Sequence, residues 1–261
     1  VPAEDAFILL DDVWKSFDGV PVLRGVTLEV RHGQTLCVIG ESGCGKTVLL
    51  KHVIGLLHPD RGRVLVGGRD LATASVREMT NIRTRFGMVF QRGALFDSLT
   101  VGENVAFPLR EHGRFTEQTI RERVSEKLSQ VGLAGIESKH PAELSGGMQK
   151  RVALARAVAL DPEVVLYDEP TTGLDPIMAD VINELIVRTH DRVKTTAIVV
   201  THDMTSAYKV ADRIVMLHEG EIIIDGTPEE IRRTTDETVR QFIEGRAGSR
   251  IQTLNHAGSH S

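Results

Sequence analysis

The sequence predicts an α/β fold: a mainly parallel sheet, a small antiparallel sheet near the N-terminus, and a helical lobe inserted between the strands. Three observations carry that expectation. The apolar run Thr35-Leu36-Cys37-Val38-Ile39 breaks on glycines and is followed by apolar residues at helical spacing. Three more apolar runs, Val164-Val165-Leu166-Tyr167, Ala197-Ile198-Val199-Val200 and Ile214-Val215-Met216-Leu217, recur in the second half in alternation with helical pattern. Between residues 92 and 160 strand character gives way to helices.

Taken in order, Ile8-Leu9-Leu10 and Val26-Thr27-Leu28-Glu29-Val30 are strand-like runs separated by the turn-rich Phe17-Asp18-Gly19-Val20-Pro21, which predicts an antiparallel pair. Thr35 to Ile39 is the first buried strand. From Lys46 to Leu57 the apolar residues Leu49, Leu50, Val53, Ile54 and Leu57 predict a helix, with Pro59 beyond its end. Ile120, Val124, Leu128 and Val131 form an apolar stripe behind a capping candidate, Thr116, and Ala153 to Leu160 is a second helical stretch. Asp175 can cap, and Pro176 can open, the helix after the Val164 strand. Glu219-Gly220-Glu221 predicts a hairpin turn, Pro228 a short helix, and Val239, Phe242 and Ile243 a last amphipathic turn before a polar tail from Ala247.

With 261 residues and 41% hydrophobic content the chain can bury a substantial core. Its mixed charge, 31 Lys and Arg against 36 Asp and Glu, advertises no basic face, so nucleic acid is not an expected partner. The two cysteines, Cys37 and Cys44, make no disulfide framework and fit a reducing compartment, with the cytoplasm as the default. No apolar run reaches the length of a membrane span, and the first 25 residues carry strand pattern and charge, unlike a signal peptide. Action at a membrane would need a partner to hold the chain there.

The chemistry begins at Gly40-Glu41-Ser42-Gly43-Cys44-Gly45-Lys46-Thr47, which matches the G-x-x-x-x-G-K-[ST] phosphate loop. At average composition a chance match in a chain this long has odds on the order of one percent. A plain glycine turn with a surface lysine is the alternative, but the strand before and the helix after are what phosphate binding needs. Glycines let the backbone curl so that N–H groups and the positive helix end face the phosphates; Lys46 neutralises their oxygens and the Thr47 hydroxyl can ligate Mg²⁺. The Val164 strand ends in Asp168-Glu169, two carboxylates at the edge where open α/β sheets bind ligands. Asp168 suits the outer coordination of Mg²⁺, and Glu169 is placed to polarise an attacking water. Leu144-Ser145-Gly146-Gly147-Met148 opens another helix with a glycine-rich N-terminus, which is either a simple cap or a second phosphate contact.

In this order the motifs resemble those of ABC-family nucleotide-binding domains, whose signature sequence follows a helical lobe and directly precedes the acidic strand. The resemblance covers residues 7–235 and implies a P-loop ATPase with a RecA-like core, an ATPase domain over that span with its lobe at about residues 92–160, and a C-terminal extension over 236–261. It implies ATP and Mg²⁺ as ligands and ATP hydrolysis coupled to transport as the activity. It further makes Gln91, after the strand ending at Phe90, the glutamine that touches Mg²⁺ or water; His202 the switch histidine; and Asp175, in Gly173-Leu174-Asp175-Pro176, the D-loop aspartate. Phe17, 23 residues before Gly40, corresponds to the adenine-stacking aromatic, with Trp14 as the rival. Three positions depart from the commoner pattern: Met148 stands where glutamine is usual, Glu41 where many relatives carry proline, and Cys44 is either a thiol-reactive spot or merely a tolerated small residue.

The same family sandwiches two ATPs between two such domains, each site joining one phosphate loop to the other chain's signature, so Ser145, Gly146 and Gly147 are expected to act on a second subunit. A transmembrane permease would then be driven through a helix seated near Gln91, where Gly93-Ala94-Leu95-Phe96 reads either as its socket or as a loop packing on its own core. Three stretches, Gln91-Arg92-Gly93-Ala94-Leu95-Phe96, Asn104-Val105-Ala106-Phe107-Pro108-Leu109-Arg110-Glu111-His112 and Val239-Arg240-Gln241-Phe242-Ile243-Glu244-Gly245, resemble the Mce-associated, Mla-type ATPases that energise lipid movement across the bacterial envelope. That implies an Mce-type substrate-binding protein and a small STAS-domain regulator as further partners, and the cytoplasmic face of the inner membrane as the place of action. The tail beyond residue 236 either reaches the other subunit or frays. A chromosome-maintenance ATPase would need a long heptad-rich insertion that is not present, a translation factor two cassettes, and a non-hydrolysing scaffold would have no need of Glu169 and His202.

Overall fold

The computed structural model describes residues 6–112 and 115–246. Strands β1 (Ala6–Phe17) and β2 (Val20–Arg31) form an antiparallel hairpin through Asp18 and Gly19, both at positive φ, the mirrored turn that matches strand twist. The strands run further into the turn region than the alternation suggested, because register shifts on both sides of Val13 interrupt the period of two. Strand β3 (Thr35–Ile39) is buried throughout. Helix α1 (Lys46–Val53) stops short of Leu57: Gly55, at φ 64°, donates to His52, and Leu56 donates to Lys51, the paired bonds of a left-handed helix stop. Then come β4 (Arg61–Val66), β5 (Arg69–Asp70), α2 (Val76–Arg83) and β6 (Phe86–Val89).

Residues 92–160 contain helices α3 (Val101–Glu111), α4 (Glu117–Gln130) and α5 (Gly146–Ala157) and a 3-10 turn at Pro141–Glu143. Thr116 caps α4 by accepting from Thr119, and Ile120, Val124 and Leu128 are buried along it. Strand β7 (Val164–Asp168), helix α6 (Pro176–Val193), β8 (Thr196–Thr201), α7 (Met204–Val210), β9 (Arg213–His218), β10 (Glu221–Gly226), α8 (Pro228–Arg232) and α9 (Glu237–Ile243) complete the chain. The expected tail from Ala247 lies outside the described residues.

Two sheets result. One has the order β2-β1-β4-β5 and is antiparallel; the other has the order β10-β9-β3-β8-β7-β6 and is parallel except for the β9/β10 hairpin. Alternation along the parallel strands divides the core. Leu36, Val38, Leu166, Ile198 and Val200 face α1 and the antiparallel sheet, while Cys37, Ile39, Tyr167 and Val199 face α3 to α6. Coverage on both faces is why these strands read as unbroken apolar runs. The C-terminal ends of β3, β7 and β8 therefore meet at one edge, and the loops leaving them carry the chemistry.

One core residue links stability to pH. His52 on α1 is fully buried; its Nδ1 donates to the Val48 carbonyl at 2.8 Å, and Nε2 has no hydrogen-bond partner among the described residues. Burial holds its pKa below the usual histidine value. The unfolded chain then takes up the proton first, so this contribution is complete above about pH 6.5 and is lost as pH falls toward the lower folded value. Urea unfolding at pH 7 and 5.5 should show His52→Leu losing less stability across that window than the native chain, by up to about 1.4 kcal/mol per pH unit. Equal slopes would show that His52 does not titrate there.

Candidate active site

The loop between β3 and α1 takes its shape from glycine. Gly40, at φ 152°, passes so close to β9 that a Cβ would lie 2.2 Å from the Leu217 carbonyl oxygen; Gly45, at φ 109°, is the N-cap of α1. Gly45 offers no side chain to the helix, so the first N–H groups of α1 are left for a ligand, the arrangement that binds phosphate. Lys46 is buried and curls back on its own loop, donating to the carbonyls of Gly40 at 2.8 Å and Glu41 at 2.9 Å. Its ammonium also lies 3.8 Å from Glu169 Oε1.

Asp168 ends β7, and Glu169 extends the ladder by one bond, donating from its amide to the Val200 carbonyl at 2.9 Å. Glu169 holds φ 50°, a left-handed conformation that costs a residue with a Cβ roughly 1–3 kcal/mol and is concentrated at functional sites. The Thr47 hydroxyl donates to both Asp168 oxygens at 3.1 and 3.2 Å. Burial raises the Asp168 carboxyl above its ordinary range against that hydrogen bond, and the neighbouring Glu169 charge adds to the rise. Glu169 Oε2 accepts from the Thr172 hydroxyl at 3.0 Å and lies 2.8 Å from His202 Nδ1, which must carry its proton to donate there. The two groups differ in access: the Glu169 side chain is 11% exposed and that of His202 49%. Behind them Ser206 lies 3.4 Å from the Thr171 hydroxyl and bonds Asp203, tying the loop after Glu169 to the loop after His202.

Phe17, Ser42, Gly43, Gly45, Lys46, Thr47, Gln91 and Glu169 line one cleft of about 480 Å³. Trp14 is not among its lining residues; its indole donates to Asp12 and Arg61 sits over its ring. Cys44 is half-buried against the core, where burial pushes its thiol pKa up against the effect of Lys46, an environment that suits a packed small residue rather than a reactive thiolate. Ser145 caps α5 by accepting from Met148, and neither it nor Gly146 and Gly147 lines the cleft. Asp175 likewise lies outside the cleft; it caps α6, accepting from Ile177 and Met178 at 3.0 Å. Thr172 went unnoticed in the sequence, its only signal being a hydroxyl three residues beyond the second carboxylate.

A glycine cradle at the open N-terminus of a helix, a lysine within it, and an acid pair on the neighbouring parallel strand define a P-loop nucleoside triphosphatase. Similarity to known proteins narrows the class. Residues 23–172 match the family described as ABC transporter, and the chain belongs to that family as an ATP-binding, ATP-hydrolysing subunit. It is 46% identical over 233 residues to the probable ribonucleotide transport ATP-binding protein mkl of Mycobacterium leprae, covering 89% of this chain and 67% of that one. It is 43% identical over 231 residues to the intermembrane phospholipid transport system ATP-binding protein MlaF of Haemophilus influenzae, covering 88% of each. Among solved structures, the dimeric post-hydrolysis state of the cassette MJ0796 with ADP and Pi superposes with a TM-score of 0.78 at 32% identity, over 85% of this chain and 98% of that one. Among the described residues no helix is long and apolar enough to cross a membrane.

Proposed function

We propose that the chain powers movement of phospholipid or another lipid across the bacterial envelope, as a homodimer docked on a permease of an Mce-type system at the cytoplasmic face of the inner membrane. The observation that carries the catalytic part is the Glu169 carboxylate held between Lys46, Thr172 and His202 at the floor of a phosphate cradle. The lipid part rests on the likeness to a phospholipid transport ATPase. The ATPase unit is assigned to residues 7–235, the helical lobe to about 92–160 and a C-terminal extension to 236–261.

In this proposal Phe17 stacks on adenine, residues 40–47 wrap the phosphates, and Lys46 leaves its loop carbonyls for the β- and γ-oxygens. Thr47, Asp168 and Gln91 would hold Mg²⁺, which supplies charge neutralisation on the phosphates. The converging hydroxyl and carboxylate are hard oxygen donors that fit such an ion. Glu169 takes a proton from the attacking water, and His202 orients Glu169 and the γ-phosphate. Ser145, Gly146 and Gly147 reach the nucleotide of a second copy, with Asp175 shaping the loop between the two sites.

A second cleft fits the permease. Phe96 and Phe107 stand 4.7 Å apart at its wall, 43% and 39% exposed, with Phe90, Met88 and Leu160 around them. Arg156 fixes the approach from Gln91 by donating to Gly93 and Ala94 carbonyls, and buried Asn104 bonds Phe96, Leu99 and Thr100. An apolar wall on a rigid, hydrogen-bonded loop is what an incoming amphipathic helix needs. Purified from membranes, the native chain should bring a multi-span permease, an Mce-type protein and a STAS-domain protein, while Phe107→Asp should lose the permease and keep ATP binding. The reconstituted complex should move labelled phospholipid on ATP addition. Movement of ribonucleotide instead would favour the activity in the name of the mkl relative, and recovery of soluble partners alone would overturn the transport assignment.

A further inference from the structure

Lys150, on the first turns of α5 just after the signature residues, is buried, and its side chain leaves its own helix. Its ammonium donates to two backbone carbonyls, Pro170 at 2.8 Å and Thr172 at 2.6 Å. Pro170 follows Glu169 directly, and Thr172, three residues beyond Glu169, is the one whose hydroxyl holds Glu169 Oε2. A buried ammonium is costly to desolvate, and burial pushes the Lys150 pKa down while the Glu169 charge pushes it up. Ordinary packing of α5 needs no such group. The ammonium does satisfy two carbonyls of a loop that starts from a left-handed residue, and it gives that loop a charge-assisted tether to the signature helix.

We propose that Lys150 is a positioning residue: through the backbone of Thr172 it sets the orientation of the Glu169 carboxylate, so that hydrolysis follows the placement of the signature helix. The inference rests on Glu169 being the general base. The chain of contacts is short and continuous: α5, the Lys150 ammonium, the Thr172 carbonyl, the Thr172 hydroxyl, the Glu169 carboxylate. A shift of α5 moves the ammonium and with it both carbonyls; the Thr172 hydroxyl then leaves Oε2, and the carboxylate is no longer aimed. Nucleotide binding by the chain's own loop, residues 40–47, is untouched by the shift. When a second copy of the chain presses on Ser145 and its neighbours, α5 is the element it presses on, so dimer closure and alignment of the base become one event.

Steady-state ATP turnover and MgATP binding of the full chain test this. Lys150→Met should lower kcat about ten-fold, the effect of losing a charge-assisted hydrogen bond on which alignment depends, with the MgATP dissociation constant within about two-fold. Thr172→Val, which keeps both Lys150 bonds, guards against a folding defect in the first variant. It should lower kcat by a similar factor with MgATP binding unchanged, and Thr172→Ser, which keeps the hydroxyl, should restore kcat. In a Glu169→Gln background neither substitution should lower the residual rate further, because the relay has nothing left to aim. A kcat within about two-fold of native in Lys150→Met, or a loss in Thr172→Val that Thr172→Ser does not restore, would overturn the proposal. So would the same proportional loss in both backgrounds. Near-native turnover by Glu169→Gln alone would instead remove the catalytic assignment beneath it.

Discussion

Glu169→Gln should leave MgATP bound and hydrolysis lower by about two to four orders of magnitude, the range for losing a general base. The replacement is nearly isosteric and its amide oxygen can still accept from Thr172, so the loop keeps its shape. What disappears is the capacity to take a proton, together with the negative charge 3.8 Å from Lys46. Nucleotide retention should improve, because Lys46 no longer has a carboxylate competing with phosphate for it. Product formation in a single turnover and light scattering of the ATP-bound protein measure the two halves: a stalled reaction and an accumulated dimer. Turnover close to native would show that another group activates the water.

Ser145→Arg and Lys46→Ala should each abolish turnover by about two orders of magnitude or more, and mixing the two inactive proteins should bring activity back. Ser145 lies outside the cleft that holds Lys46, in keeping with the proposal that one nucleotide draws the two residues from different chains. In a mixed dimer one composite site has the intact phosphate loop of the Ser145→Arg chain facing the intact signature of its companion. Recovery that rises with total protein concentration follows from assembly by mass action. No recovery at any mixing ratio, with dimers present, would reject the shared site.

How far the sequence could be read depended on where each contact is encoded. The buried strands were legible because both faces are covered, and Asp175-Pro176 announced α6 through its own capping chemistry. Helix α2 was not foreseen: only Ile82 is buried along it, so it has no apolar stripe, although Ser75 and Glu78 form a capping box that local inspection could have found. Helix α3 hides behind Pro108 in its interior, β4 opens on Arg61-Gly62-Arg63, and β5 is only Arg69-Asp70. In the site, the phosphate loop and the acid pair are contiguous motifs and could be read directly. Thr172 and Lys150 could not, because one acts through a hydroxyl on a loop of unusual φ and the other through main-chain oxygens, which no residue spacing records. The placement of Ser145 had a further obstacle: its expected ligand belongs to another molecule.

The bonds that Lys46 makes to the Gly40 and Glu41 carbonyls bear on how product leaves. The loop presents two of its own carbonyl oxygens to the ammonium proposed to meet phosphate, so on that proposal a triphosphate would exchange partners at Lys46. Exchange narrows the gap in free energy between the loaded and empty forms. Departure of ADP and phosphate would then be compensated by bonds the protein makes with itself. A motor that must release its spent fuel on every cycle gains more from that reversibility than from tighter grip.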